Sequence, residues 1–237
     1  MDKVLVCVDF DHTLVDANTD VEIKSLANGI TIPEEIEAMS KVSNGWTAYM
    51  REMFKFLFKN NVTKEDYVRC ISSLQPMTGM KDLLYQMHES GDCELIIVSD
   101  ANSFFIQEFL KHYQLDRIIS AIFTNPAEFD EEGCLQIQEF HKSSCKRCPP
   151  NLCKGEILVN YNAKRLEEGT HFTRTLYIGD GRNDVCPAVR LGMNDYIFAR
   201  AGHRLLRALE KMPARDVKAF VISWETGNDI RNYLLSL

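Results

Sequence analysis

At Val8-Asp9-Phe10-Asp11-His12-Thr13, an apolar run passes directly into two carboxylates and a hydroxyl. Residues two apart in an extended segment point the same way, so Asp9 and Asp11 can face one site, where their charges repel unless a cation lies between them. An EF-hand calcium loop is excluded, because counting from Asp9 places Leu14 where that loop needs Gly and Asp20 where it needs Glu. The alternatives that remain are a solvated turn and a metal-dependent catalytic pair.

The composition is typical of a soluble globular protein, with 45% hydrophobic and 26% charged residues in a chain of 237. A formal net charge of −7, from 27 basic and 34 acidic residues, argues against a nucleic-acid or anionic-membrane partner. Neither a membrane helix nor a cleavable export signal is predicted. Cysteine is frequent, with 8 residues, and without an export signal it predicts free thiols in a reducing compartment. We therefore expect a cytoplasmic protein.

Beyond Pro76, helical and strand patterns alternate along the chain. Apolar periodicity predicts helices over residues 79–88 and 104–112. Short apolar runs predict strands over residues 3–8, 94–98, 118–123, 173–178, 195–198 and 217–223. This alternation predicts an α/β fold with a doubly wound, mostly parallel sheet.

Residues 20–75 show a helical pattern instead. Thr31-Ile32-Pro33-Glu34 and Thr63-Lys64-Glu65-Asp66 each resemble a helix start, with a hydroxyl cap and an acid three residues later. Between them an apolar stripe recurs at helical spacing and consists of Trp46, Tyr49, Met50, Met53, Phe54 and Leu57. Such a stripe is typical of core or inter-domain packing. We predict a small helical cap over residues 20–75, inserted into a main domain formed by residues 1–19 and 76–237.

Polar residues follow three of the predicted strands at the point where each strand ends. Asp9 and Asp11 follow the first strand. The strands over 94–98 and 173–178 are followed by Ser99-Asp100-Ala101-Asn102 and by Gly179-Asp180-Gly181-Arg182-Asn183-Asp184. Each segment alone could be a helix cap or a turn. Since the carboxyl ends of parallel strands meet at one edge of a sheet, we expect the three segments to form one site.

The order of these motifs resembles that of the haloacid dehalogenase-type phosphatases, and most closely that of their PHOSPHO subfamily. The resemblance covers nearly the whole chain. It rests on the segments quoted above and also on Asp16-Ala17-Asn18-Thr19-Asp20, Thr124-Asn125-Pro126, Asn151-Leu152-Cys153-Lys154 and Val185-Cys186-Pro187. It implies a Rossmann-like sheet with an inserted helical cap, and a phosphoric monoester hydrolase that acts on small molecules.

The resemblance also implies a covalent mechanism. Asp9 would attack phosphorus to form an aspartyl-phosphate, and Asp11 would protonate the leaving oxygen and then activate water. Ser99 would donate a hydrogen bond to a phosphate oxygen, and Lys154 would neutralise charge in the transition state. Two further lysines lie close in sequence and compete for this last role, Lys142 and Lys146.

Magnesium is the implied cofactor, because Mg²⁺ prefers hard oxygen ligands. Asp9, the backbone carbonyl of Asp11 and Asp180 would supply its protein ligands. Asp184 would complete the metal site beside them. The ion would relieve the repulsion among the carboxylates and let an anionic nucleophile approach an anionic phosphate. His203, farther along the chain, is interpreted as a helix-face or loop residue without a role.

Substrate choice is expected to depend on Asp20 and Asp100, which the resemblance places in the substrate pocket together with Asn102. Extra carboxylates near a phosphate site suit a cationic part of the ligand, such as an amine, a quaternary ammonium or a pyridinium. The expected substrate is pyridoxal 5′-phosphate, with phosphoethanolamine or phosphocholine as the alternative. Helix capping is the other interpretation, by Asp20 at the first inserted helix and by Asp100 at a helix near Ser103.

A cysteine-rich run precedes Lys154. It has the form His141-x3-Cys145-x2-Cys148-x4-Cys153, with enough nitrogen and sulfur ligands for a tetrahedral zinc site. A zinc ion there would crowd the neighbouring lysine. The alternative is a loop lined by partly buried thiols, which behave as small hydrophobic groups.

Two rival functions belong to other classes. A zinc-bearing interaction module that has lost catalysis would not need the full set of acidic residues found here. A hydrolytic dehalogenase would not need Asp11 as a proton donor or Asp180 as a magnesium ligand. Both rivals are therefore disfavoured by the sequence.

Overall fold

Eight strands form two sheets in the computed structural model, which describes residues 2–42 and 45–236. The strands are β1 Asp2–Val8, β2 Cys93–Asn102, β3 Ala121–Asn125, β4 Ala127–Phe129, β5 Leu135–Ile137, β6 His171–Gly179, β7 Tyr196–Arg200 and β8 Phe220–Trp224. Six of them make one sheet in the order β3-β2-β1-β6-β7-β8, and every neighbouring pair is parallel. β4 and β5 form a separate antiparallel hairpin.

Helices connect the strands of the large sheet. They are α1 Thr19–Glu22, α2 Glu34–Met39, α3 Trp46–Lys59, α4 Lys64–Ser73, α5 Met80–Glu89, α6 Ser103–His112, α7 Lys154–Glu167, α8 Val185–Ala188, α9 Arg204–Leu209 and α10 Gly227–Leu235. Within the two described ranges, none of the helices has the length and apolarity needed to cross a membrane. The predicted α/β fold with a doubly wound parallel sheet is confirmed.

The strand order reverses beside β1. From β1 the chain adds β2 and β3 on one side, and later adds β6, β7 and β8 on the other. In the register of the sheet, Val8 lies opposite Ile97 of β2 and Ile178 of β6. The connections after β1 and β6 therefore diverge at the carboxyl edge, which leaves a crevice at the position where such sheets bind ligands.

Alternation along β1 sends side chains into two apolar layers. Val6 and Val8 belong to one buried cluster, while Leu5 and Cys7 belong to another. The first cluster includes side chains of α5, α6 and α10, and the second includes side chains of α7, α8 and α9. Helices thus cover both faces of the sheet, which explains why its strands are apolar on both sides.

Helices α1 to α4 leave and rejoin the sheet domain at one place, where Asp16 N donates to Gln75 O at 3.0 Å. α4 packs on α6, and Phe54 of α3 meets Phe105 of α6 edge to face at 5.9 Å between ring centroids. Apolar side chains of this helical segment share one buried cluster with the sheet. That residues 20–75 act as a cap stays a prediction.

One of the two predicted helix starts is confirmed. α4 begins after Thr63, whose N–H and hydroxyl both donate to Asp66 Oδ2, at 2.7 and 2.8 Å. The predicted start at Thr31 is wrong, because α2 begins after Pro33 without a side-chain cap. A residue before proline is disfavoured in the helical region, so a helix cannot begin at Ile32.

The hairpin of β4 and β5 is an element that the sequence pattern did not predict. Each strand has 3 residues, too short for alternation to be recognised. A turn signal is nevertheless present. Asp130 Oδ1 accepts from Cys134 N at 2.8 Å, and Gly133 has a φ of 90° that favours glycine.

Candidate active site

The carboxyl ends of β1, β2 and β6 meet at a cavity of about 1150 Å³. Its lining includes Asp9 and Asp11 after β1, Asp100 near the end of β2, and Asp180 after β6. Asp9 N donates to Ile178 O at 2.9 Å, so the pairing of β1 with β6 continues one residue beyond the strand. The structure therefore brings four carboxylates from three strand ends to one cavity.

A buried ammonium joins two carboxylates behind this cavity. Lys154, the first residue of α7, is 0% exposed, and its Nζ lies 2.7 Å from Asp9 Oδ2 and 2.8 Å from Asp184 Oδ1. Burial alone would lower the pKa of Lys154, but the attraction of Asp184 and Asp9 raises that pKa above its ordinary value, so the group stays charged. The competing Lys142 is exposed, and Lys146 is an exposed residue of the cavity lining.

Asp184 is surrounded by protein donors. Besides Lys154, its Oδ1 accepts from the Tyr177 hydroxyl at 2.6 Å. Its Oδ2 accepts from the N–H groups of Asp180 and Gly181, at 3.1 and 2.8 Å. Each carboxylate oxygen thus has two donors. Asp184 anchors the lysine and the loop after β6, and it presents no free oxygen to the cavity.

Asp180 has a partner that the sequence does not assign. His203 Nδ1 lies 2.8 Å from Asp180 Oδ2, and both residues line the cavity. Burial and repulsion by Asp184 raise the pKa of Asp180, whereas the hydrogen bond with His203 lowers it. His203 lies in a loop at the start of α9, as expected, but its contact with Asp180 was not predicted. The available signal is its place just after β7, at the same edge of the sheet.

Asp11 keeps one oxygen free for a proton. Its Oδ1 accepts from Thr19 N at 3.0 Å and from Thr19 Oγ1 at 2.9 Å. Burial and the negative charge of Asp20 raise the pKa of Asp11 well above its usual range, against the effect of the Thr19 hydrogen bonds. Since both donors engage Oδ1, Oδ2 is the oxygen left to carry a proton when Asp11 is neutral. A carboxyl group with a raised pKa is suited to general acid catalysis.

Three clustered carboxylates give this site the negative charge that a divalent cation needs. Oxygens of Asp9, Asp180 and Asp184 lie within 4.8 Å of one another, and all three residues are buried. Burial and repulsion by Asp184 raise the pKa of Asp9, with Lys154 opposing them. The single ammonium balances one of three carboxylates, which leaves surplus negative charge. Hard oxygen donors with surplus negative charge are the ligands that divalent cations such as Mg²⁺ prefer.

Ser99 and Asn102 are both fully buried at the end of β2. Ser99 Oγ accepts from Ala101 N at 3.2 Å. Asn102 Oδ1 accepts from Phe105 N at 3.0 Å and caps α6, so the alternative of Asp100 as that cap is wrong. A direct contact of Ser99 or Asn102 with substrate stays a prediction.

Asp20 is a buried carboxylate with only one engaged oxygen. Trp46 Nε1 donates to its Oδ2 at 2.6 Å, whereas Oδ1 has no hydrogen-bond partner in the part of the chain that the structure describes. The pKa of Asp20 is raised to about 7. Burial is the main cause and repulsion by Asp100 a smaller one, whereas the hydrogen bond from Trp46 lowers the pKa. The interpretation of Asp20 as a helix cap is wrong, because Asn18 caps α1. A buried oxygen without a partner is costly unless a proton or a cation reaches it.

Comparison with known proteins shows the family. A family model described as Putative Phosphatase matches residues 4–237. The chain belongs to this family. The pyridoxal phosphate phosphatase PHOSPHO2 of Mus musculus is 38% identical over 236 residues, which cover 98% of this chain and 97% of that protein. The phosphoethanolamine/phosphocholine phosphatase of Homo sapiens is 36% identical over 236 residues, with 98% and 88% covered.

The fold of this Putative Phosphatase family member is also found among solved structures. A crystal structure of phosphoserine phosphatase in apo form has a TM-score of 0.64 at 18% identity, with 100% of both chains covered. The resemblance stated from the motifs and the enzyme class, a phosphoric monoester hydrolase, are confirmed by the family. The roles of individual site residues stay predictions.

Asp20→Asn is expected to stabilise this family member at neutral and alkaline pH. The pKa of Asp20 is about 7 in the folded chain against 3.8 ordinarily, so the folded chain holds the proton more tightly. The contribution of Asp20 to the stability of the wild type is therefore greatest in acid and falls as the pH rises from about 4 to about 7. Asparagine does not titrate. The free energy of unfolding of the variant should therefore exceed that of the wild type by at most about 4 kcal/mol at alkaline pH.

Thermal unfolding of wild type and Asp20→Asn near pH 5 and pH 8 measures this effect. The exposed Asp16, which pairs with Arg200, provides the control Asp16→Asn. A gain that is the same at both pH values would contradict the raised pKa of Asp20.

The cysteine-rich run does gather its thiols, but His141 is not part of the cluster that the structure forms. His141 Nε2 instead accepts a hydrogen bond from Cys153 N at 3.0 Å. The cluster of thiols near it consists of Cys145, Cys148, Cys153 and Cys186. Cys186 belongs to α8, far from the other three in sequence. Local spacing could not reveal it, because the fold alone brings α8 beside the start of α7.

Proposed function

We propose that this chain is a Mg²⁺-dependent phosphatase that hydrolyses small phosphomonoesters through an aspartyl-phosphate on Asp9. The observation that carries the proposal is the 2.7 Å ion pair between Asp9 and the buried Lys154, behind a cavity lined by Asp9 and Asp11. The ammonium opposes the rise in the pKa of Asp9 and so favours the ionised nucleophile. It also remains beside the reacting phosphorus, where negative charge collects.

Asp11 acts first as an acid and then as a base. An oxygen of Asp9 bonds to phosphorus as the bond to the alcohol oxygen breaks, and the Asp11 Oδ2 proton passes to that oxygen. The resulting Asp11 carboxylate then accepts a proton from water, whose oxygen attacks phosphorus. Inorganic phosphate leaves, Asp9 is restored and Asp11 is again protonated. Thr19 holds Asp11 through Oδ1 in both steps.

Mg²⁺ would be held by Asp9, Asp180 and the backbone carbonyl of Asp11. When bound, the ion offsets negative charge between the nucleophile and the phosphate. Asp184 would contribute charge and anchoring, since protein donors occupy both of its oxygens. His203 would fix the orientation of Asp180 through its 2.8 Å contact.

The cationic residues of the cavity lining are exposed, whereas its four carboxylates are buried or half-buried. Cationic residues of the lining are Lys146, Arg147, Arg182, Arg204 and Arg207. Positive charge at the entrance attracts a phosphate dianion from solution and orients it toward the nucleophile. This separation of charge supports small, doubly charged phosphomonoesters as substrates.

The leaving alcohol is proposed to carry a cationic nitrogen. Asp100 lines the cavity, and the buried Asp20 has an oxygen without a partner among the described residues. A cationic group of the substrate near these two carboxylates would offset their electrostatic repulsion of the phosphate. Pyridoxal 5′-phosphate is the first candidate, as in the name of the Mus musculus relative. Phosphoethanolamine and phosphocholine are the second, because two carboxylates suit an ammonium group directly.

Asp20→Asn and Asp100→Asn test this substrate class. We expect kcat/KM for phosphoethanolamine to fall about 10-fold to 100-fold in each variant, since a charge partner is lost. The value for phenyl phosphate, whose alcohol is uncharged, should change by less than about threefold. Pyridoxal 5′-phosphate measured alongside shows whether a pyridinium depends on the same carboxylates.

Steady-state kinetics of the wild type, the two variants and the Asp16→Asn control on all three substrates give the comparison. Equal losses of kcat/KM on phenyl phosphate and phosphoethanolamine would overturn the proposal that the leaving alcohol carries a cationic nitrogen. They would leave the nucleophile assignment unaffected.

Residues 20–75 are proposed to cap the site and limit it to small substrates. Trp46 of α3 donates to Asp20, so this segment contacts the proposed substrate carboxylate directly. Water exclusion by such a segment favours transfer to the nucleophile and protects the reaction from large competitors. The cytoplasm is the proposed location, because none of the 8 cysteines, all of which lie in the described ranges, forms a disulfide.

The two rival functions lose support. A non-catalytic module would not retain a buried lysine paired to the predicted nucleophile and to its neighbour Asp184. Hydrolytic dehalogenation is disfavoured because the relatives reported above are named as phosphatases.

A further inference from the structure

Four thiols from two separate segments of the chain meet beside the active site. Two lie in the loop before α7, one directly precedes α7, and one belongs to α8; they are Cys145, Cys148, Cys153 and Cys186. Their Sγ atoms all lie within 4.8 Å of one another. We propose that these four cysteines bind one structural zinc ion. The proposal is independent of the reaction at the phosphatase site.

The spacing of the sulfur atoms fits tetrahedral zinc. Cys145 Sγ lies 3.6 Å from Cys186 Sγ, and Cys153 Sγ lies 3.7 Å from the same atom. The separation between Cys148 Sγ and Cys153 Sγ is 3.4 Å. Zn–S bonds of about 2.3 Å place the sulfurs of a tetrahedral site about 3.8 Å apart. A disulfide needs about 2.05 Å, so paired disulfides fit this arrangement less well.

The chemistry of the donors favours a structural site. Soft thiolates select zinc over Mg²⁺, and four protein ligands leave no open position for substrate. Four thiolates around Zn²⁺ keep a net negative charge, and Arg190 lies beside them. A Cβ built on Gly155 would meet Cys186 Sγ and Arg190 Nε, each at 2.7 Å. Glycine at this position lets the thiol and the guanidinium approach the start of α7.

The loop that carries these thiols needs support. Residues 138–153 contain neither helix nor strand, and loops of this length are uncommon in compact domains and are usually either functional or disordered. Ser143 N donates to Pro150 O at 2.7 Å and joins the two arms of the loop. Its tip presents Lys146 and Arg147 to the cavity. Zinc would fasten this tip to α8 and hold both cations at the entrance.

The proposed ion does not crowd the catalytic lysine. Lys154 Nζ contacts Asp9 and Asp184, whereas the preceding Cys153 directs its sulfur to Cys148 and Cys186. Neighbouring residues in the chain thus serve two separate sites. The zinc site would brace the start of α7, where the lysine lies.

Metal analysis of the whole chain tests the proposal. Wild-type protein purified without added zinc, and equilibrated with excess Mg²⁺ to occupy the carboxylate site, is expected to hold about one zinc ion per chain. Modification of its thiols by a mercurial should release that zinc. Replacement by Co²⁺ should give the absorption of a tetrahedral cobalt–thiolate centre. Wild-type protein that lacks zinc and shows no such cobalt spectrum would overturn the proposal.

Variants locate the ion. Cys145→Ser and Cys186→Ser are expected to lose at least about nine-tenths of the zinc and to unfold at lower temperature. Cys70 and Cys134 lie outside the cluster and match Cys145 and Cys186 in burial. The control variants Cys70→Ser and Cys134→Ser should therefore keep the zinc ion. Zinc retained in both cluster variants would place it elsewhere and contradict the proposal. An intact mass showing two disulfides in freshly purified protein would do the same.

Discussion

Asp9→Asn is expected to abolish turnover, with kcat on p-nitrophenyl phosphate falling at least about 10³-fold. An amide oxygen is a poor nucleophile for phosphorus, so no aspartyl-phosphate can form. Asparagine has nearly the same shape as aspartate, and it removes a buried charge that Asp184 repels. Lys154 keeps its ion pair with Asp184 at 2.8 Å. We therefore expect the variant to fold and to unfold at a temperature no lower than that of the wild type.

Acid-quenched samples taken during turnover provide a second measurement, because the wild type should contain phosphorylated chain and Asp9→Asn should not. Asp16→Asn, a change in the same segment at a side chain that is 51% exposed, should stay within about twofold of wild-type kcat. Turnover by Asp9→Asn within about tenfold of the wild type would remove Asp9 as the nucleophile.

Lys154→Met is expected to damage both stability and catalysis. The substitution leaves Asp9 and Asp184 buried without their shared ammonium, and breaking such a buried pair costs about 3–5 kcal/mol. For a chain of this length the unfolding temperature should fall by roughly 10 °C. Loss of a positive charge beside the reacting phosphorus should lower kcat by a further, separate factor of about 10² to 10³.

The stability loss of Lys154→Met should depend on pH. Lys154 lowers the pKa of Asp9, which burial and Asp184 otherwise raise, so the variant raises that pKa further. A carboxyl whose folded pKa lies above its unfolded value gives most stability in acid, and it loses that stability as the pH rises. The free energy of unfolding that Lys154→Met loses relative to the wild type should therefore become smaller as the pH is lowered from about 8 to about 5.

Thermal unfolding at both pH values and steady-state kinetics in saturating Mg²⁺ measure these effects. Lys142→Met is the matched control, because Lys142 is an exposed lysine of the same region. It should keep wild-type stability and kcat. If Lys142→Met lost activity while Lys154→Met kept it, the assignment of the catalytic lysine would be wrong.

Local patterns predicted much of the fold because they depend on neighbouring residues. Apolar runs and helical periodicity predicted the parallel sheet, and all six of its strands overlap a predicted range, namely 3–8, 94–98, 118–123, 173–178, 195–198 and 217–223. The capping box at Thr63 follows from four consecutive residues and is confirmed. The helix start predicted at Thr31 failed because Pro33 overrides the hydroxyl signal.

Contacts between distant segments could not be predicted in this way. His203 meets Asp180, Cys186 joins the thiols of another loop, and Trp46 occupies one oxygen of Asp20. Each contact depends on the register of the sheet and on how helices pack over it. Neither quantity is encoded in the spacing of a short segment.

By itself, the sequence determined that Asp9 and Asp11 end a buried strand and face one site, because the two-residue period of a strand is a local property. It also placed the other polar strand ends at the same edge. Only the tertiary structure decided how their charges are balanced. Lys154 is buried between Asp9 and Asp184, and Asp11 keeps a free oxygen for its proton because Thr19 occupies the other. Burial and partners set the charge of each group, and both arise only when distant parts of the chain pack together.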